Sequence, residues 1–237
     1  MGAIYQLTLR QLSGRWRLGI LAVLGTLPIL VGLLVLQDST APTVAVFENV
    51  VFGTLLAGSI APLVALASAA AAFGNELDDR TLANLTLAPM PRWQIAVPKL
   101  LAVITVAAPF ITLSAFITGQ LAFLGDPAAI ASTTLGSFLG VALYAAAFVW
   151  LGLVTPQAVG VGLAYIVIWE GFFSGFVSGV RVLSIRQYTE DLMHALDPRR
   201  FPVEPHMSTL LITSIAVAVF SGFLLLTIRR LRRMDVP

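Results

Sequence analysis

One carboxylate stands alone in the most apolar part of this chain. Glu170 falls near the middle of an apolar run covering about residues 158–180. Holding a charge at the centre of a bilayer costs roughly 2.5–3.5 kcal/mol on insertion scales, so such a group turns toward protein or water. Two uses fit it: a pathway or gating group, or a structural group that hydrogen-bonds a neighbouring helix or snorkels to the surface. Gly171, Gly175 and Gly179 follow at every fourth position, a small-residue face suited to close helix packing. His194 and His206 lie outside the apolar runs and lack companion ligands at metal spacing, so no metal site is expected. There is no His-Glu-x-x-His and no Gly-x-Ser-x-Gly, which removes the common zinc and serine hydrolase chemistries. There is also no Gly-x-x-x-x-Gly-Lys followed by Ser or Thr, and the single lysine is Lys99, so no P-loop can cradle ATP here.

A second group of chemically able residues occupies Asn75–Lys99, where six charged side chains and three prolines interrupt the apolar sequence. It begins acidic and helix-compatible (Glu76, Asp78, Asp79), and Leu82 and Leu85, three apart, give a short helix one apolar edge to press into a partner's groove. Pro89 and Pro91 stop it. Arg92 and Trp93 then open an amphipathic stretch reaching Lys99 at the membrane surface. An ordinary solvated loop with interfacial anchors is the bland alternative.

The elements that must position these groups follow from composition. Of 237 residues, 58% are hydrophobic and only 11% charged, less than half the share in a soluble domain. Mean hydropathy is +0.92. Apolar runs of about twenty residues read as membrane-spanning helices. We place them at about 18–36, 50–73, 100–124, 135–154, 158–180 and 209–227, in a single transmembrane domain over 1–237 with an outer loop at 181–208. A net charge of +2 argues against nucleic acid as a partner, and the lack of cysteine excludes disulfides and thiolate metal sites. The first run is too long for a cleaved signal, so none is expected. Before it, Tyr5, Leu9, Leu12 and Trp16 share one helical face beside Arg10, Arg15 and Arg17, the pattern of an interfacial helix over residues 1–17.

Six spans put both termini on one side. With that side inside, the inner segments carry Arg10, Arg15, Arg17, Arg80, Arg92, Lys99 and Arg229, Arg230, Arg232 and Arg233, while the outer loops carry only Arg181, Arg186, Arg199 and Arg200. Basic loops stay inside. Both termini and the 75–99 loop are therefore expected in the cytoplasm.

The loop resembles that of type-two ATP-binding-cassette exporter permeases. Glu76, Thr81, Leu82, Leu85, Pro89, Arg92 and Lys99 stand at that family's spacings, with Arg80 where the family usually has Gly. Tyr165 to Gly171 is also similar to a fifth-span sequence in the branch serving drug-like or copper-site-maturation export. The resemblance implies an all-α, polytopic, multi-pass membrane protein with six transmembrane helices, an N-terminal interfacial helix and a cytoplasmic coupling helix. It further implies a permease that pairs with a second permease, the same chain or a different one. The seven loop residues would dock on a separate ABC ATPase, present in two copies and holding ATP and magnesium, with no cofactor in this chain. The compartment implied is the plasma membrane, as in a prokaryotic inner membrane, and the cargo a hydrophobic or amphipathic compound such as a drug or lipid. A secondary transporter or a membrane assembly scaffold is the competing class.

Overall fold

The computed structural model describes residues 1–37, 44–78, 91–173, 184–200 and 209–233, and of residues 75–78, 173 and 209 the backbone alone. Among the described residues there are helices and connecting turns and no strand. The protein is an all-α polytopic membrane protein.

The N-terminal helix α1 spans Gly2–Leu12. It ends sooner than the residue pattern predicts. The Ser13 hydroxyl and amide both bond the Leu9 carbonyl, and the Arg17 guanidinium reaches back to the Gln11 carbonyl at 3.0 Å. A basic side chain on terminal carbonyls is a favourable helix stop, and Gly14 weakens any continuation. Trp16 consequently belongs to the next helix, α2 (Arg15–Gln37), and is 83% exposed, so it does not extend the α1 face.

Among the described residues five helices are long and apolar enough to cross a membrane: Arg15–Gln37, Val44–Gly74, Trp93–Phe123, Pro127–Val154 and Leu210–Arg233. The second of these, α3, is one rod made of Val44–Val46, a π-helical stretch Phe47–Ile60 and an α-helical stretch Ala61–Asp78. Then come α4 (Trp93–Phe123) and α5 (Pro127–Val154). The apolar helix α6 is shorter as described, joining Ala158–Ala164 to a π-helical Tyr165–Phe173. An amphipathic helix α7 (Ile185–Leu196) precedes α8 (Thr209–Arg233). Helices outrun the apolar stretches because polar flanks stay helical beyond the ~30 Å hydrocarbon layer. Pro28, Pro98 and Pro109 lie within α2 and α4, which carry through them, as membrane helices do when neighbours serve the freed carbonyls.

The turn from α4 to α5 shows why the chain reverses there. Leu124 and Gly125 take φ of 46° and 89°, and the Asp126 carboxylate then accepts the amides of Ala128 and Ala129 with Pro127 in the first turn. Helix α5 is central, packing on α3, α4, α6, α7 and α8. Around it Phe52 stacks on Phe123 with ring centres 5.6 Å apart, and Tyr144, fully buried, donates to the Ala57 carbonyl at 3.4 Å. The periphery belongs to α2 and α8, with 22% and 11% of their apolar windows buried against 67% for α5. Lipid removes the hydrophobic drive between helices, so contact depends on small residues and hydrogen bonds.

Candidate functional site

Among the described residues, those singled out in the sequence fall toward two ends of the bundle. At one end α3 and α4 bracket the loop. Thr81, Leu82, Leu85 and Pro89 lie outside the described residues, and so does the side chain of Glu76. Arg92 is described at the start of α4, its carbonyl accepting the amides of Ile95 and Ala96 at 3.1 Å.

Lys99 is not at the surface. It is fully buried, its Nζ donates to the Ala72 carbonyl of α3, and it stands over the Phe73 ring, 4.4 Å from the centre. The expectation that Lys99 lies at the membrane surface is therefore corrected: its side chain makes its contacts inside the chain. Its stem is long enough to cross between two helices, and a carbonyl and an aromatic face are the acceptors an amine needs there.

Helix α1 lies against this end. Tyr5 donates its hydroxyl to Thr105 Oγ1 of α4 at 3.1 Å, Leu12 is buried, and Leu9 packs beside the core. The apolar face expected to meet lipid thus meets protein.

The opposite end is built around α7. Glu170 is fully buried and accepts three hydrogen bonds: from the Tyr165 hydroxyl at 2.8 Å, the Ser184 hydroxyl at 2.5 Å and the Ile185 amide at 3.1 Å. Ser184 in turn accepts the Gln187 amide at 3.2 Å. A carboxylate and a hydroxyl together satisfy the amino end of α7, where the helix dipole favours negative charge. Of the two uses open to Glu170, the hydrogen-bonding one is what this geometry displays.

Four glycines receive the body of α7. A Cβ on Gly53 would come within 3.0 Å of Glu190, and one on Gly58 within 3.0 Å of Arg186. On α5, a Cβ on Gly136 or Gly140 would run into Met193 or Thr189. Arg186 also pairs with Glu190 at 2.7 Å and donates to Thr54 Oγ1 at 3.3 Å. Burial raises the Glu190 carboxyl above its ordinary value, against the opposing pull of Arg186. Past α7, the hydrogen bond from Arg199 holds Asp197 below the usual carboxylate value. His194 Nδ1 lies 3.1 Å from the Arg200 carbonyl.

Sequence reasoning missed this seat. A signal existed, since Gly136 and Gly140 form a Gly-x-x-x-Gly pair. Gly53 and Gly58 are five apart, the period of the π-helical stretch that carries them. Conversely, Gly171 is exposed with ordinary room for a Cβ, so the small-residue face does not press on a neighbour there, and Gly175 and Gly179 lie outside the described residues. No three metal-ligating side chains converge among the described residues.

Residues 9–179 match the family model described as ABC-2 family transporter protein. The chain belongs to that family. The match covers α2 to α6, including the loop and Glu170. No curated protein matches the chain. As a member of the ABC-2 family it is an ABC transporter permease and a multi-pass membrane protein.

Proposed function

We propose that this chain is the permease subunit of an ABC exporter, two permeases together forming the pathway and two copies of a separate ATPase driving it with ATP and magnesium. The observation that carries the reading is the family match over a chain whose sequence has no P-loop. Glu76, Thr81, Leu82, Leu85, Pro89 and Arg92 are assigned to the ATPase contact, with α1 beside them. Seated on α5 and α3, α7 caps the outer end, and export requires the permease pair to alternate between inward- and outward-facing packings. The excess of basic residues puts the loop and both termini in the cytoplasm of a cell bounded by its plasma membrane. The apolar span surfaces suit a hydrophobic or amphipathic cargo.

Purification of the tagged chain from its native membrane tests this. A P-loop ATPase is expected to co-purify, and Leu82→Glu with Leu85→Glu is expected to abolish the permease's stimulation of ATP hydrolysis while the chain still inserts. Isolation with no ATPase would favour the secondary transporter or scaffold.

A further inference from the structure

We propose that Lys99 is a positioning residue, a strut that makes the ends of α3 and α4 move as one body. Its use rests on the permease reading above; its substance rests on geometry. Ala72 lies six residues before the end of α3, and Lys99 six residues after the start of α4. At 1.5 Å per residue the strut crosses about 9 Å from both helix ends, the same depth on each side. A link at equal depth resists both splaying and sliding of the pair.

The sequence places it at a weak point. Pro98 lacks the amide that would bond the Gln94 carbonyl, so the ladder of α4 has a gap one residue before Lys99, as it has again at Pro109. The strut supplies from outside what the ladder lacks. Its receiving side is firm, because Ala72 and Phe73 are themselves fully buried. All other basic residues of the chain are arginines, so the single amine is the one used inside. A planar guanidinium needs more room than a compact ammonium.

The chain has no cysteine, so Gly74→Cys with Trp93→Cys can be spin-labelled without background. Gly74 has open space for a side chain and Trp93 is exposed. The full chain in nanodiscs of phosphatidylethanolamine and phosphatidylglycerol is expected to give one narrow label-to-label distance distribution by pulsed dipolar EPR. Lys99→Met, which keeps the length and loses the donor, is expected to widen it about twofold or more. A Lys99→Met protein with a lower melting temperature and an unchanged width would show packing alone and overturn the strut. Should Lys99→Met not accumulate, hydrogen exchange on the unaltered chain decides. Opening of residues 70–74 and 93–99 at rates within about fivefold of each other supports the strut, and a larger gap overturns it. No ATPase is in these samples, so the result stands or falls independently of whether one co-purifies.

Discussion

Glu170 and Lys99 are both completely buried, toward opposite ends of this bundle, and the two are held in opposite ways. Glu170 receives three donors and completes the amino end of α7. At the other end Lys99 gives a hydrogen bond to the Ala72 carbonyl and leans on the Phe73 ring. Around Glu170 the neighbouring helices have given up side chains, at Gly53, Gly58, Gly136 and Gly140, to admit a whole helix. Around Lys99 nothing is admitted; two helices are tied. The outer end is a fitted seat, whereas the inner end is a brace beside a loop. Their difference teaches where the bundle is specified by shape and where by a single contact.

The comparison breaks most visibly at the seat. Gly140→Leu drives its side chain into Thr189, and overpacking of this kind costs about 1–3 kcal/mol or more. Hydrogen exchange of residues 185–196 is expected to rise at least about tenfold, since about 1.4 kcal/mol is a factor of ten; unchanged protection would mean α7 does not depend on the seat. A smaller effect comes from the cap. Glu170→Ala strands buried donors at a cost of about 1–3 kcal/mol, and Tyr165→Phe, removing a single hydrogen bond, costs about 1 kcal/mol. Exchange at Ile185 to Gln187 should rank the two in that order, and equal effects would show that the carboxylate matters only through Tyr165.

The least effect is electrostatic, and its sign differs between two acids of the outer end. Asp197, held low by the Arg199 hydrogen bond, stabilises the fold fully above the ordinary Asp value of about 3.9, and the contribution is lost as pH falls through its folded value. Glu190, raised by burial, favours the fold below about pH 4.3, and that contribution is lost as pH rises through its folded value. Arg199 is 69% exposed, so solvent screening keeps the first term small. Melting temperature against pH in nanodiscs should lose part of its acid-side fall in Asp197→Asn and part of its decline at higher pH in Glu190→Gln.

Much of the architecture was legible because lipid thickness imposes a length that apolar runs must meet, which is why Leu18–Leu36 already marks α2. The site was less so. Trp16 fits the α1 periodicity, yet Ser13 and Arg17 close α1 before reaching it, a local capping decision that periodicity does not register. Phe47–Ile60 reads as ordinary apolar helix, since propensity reflects the common i to i−4 ladder and the wider π ladder depends on what packs against it. Gly136 and Gly140 were visible as a motif, but their partner is α7, some fifty residues on, and only the fold joins them. Lys99 sat at the spacing of a surface motif, and which way its stem turns is decided by Ala72 and Phe73.

The strut also sets the chemistry of the whole surface. Lys99 is the only lysine of the chain and is fully buried, so every permanent side-chain cation outside the bundle is a guanidinium. That exterior offers no side-chain amine to acylation, Schiff-base formation or ubiquitin-like tagging. An amine-directed reagent would find a side chain here only when α3 and α4 part, so the wild-type chain carries its own chemical reporter of that opening.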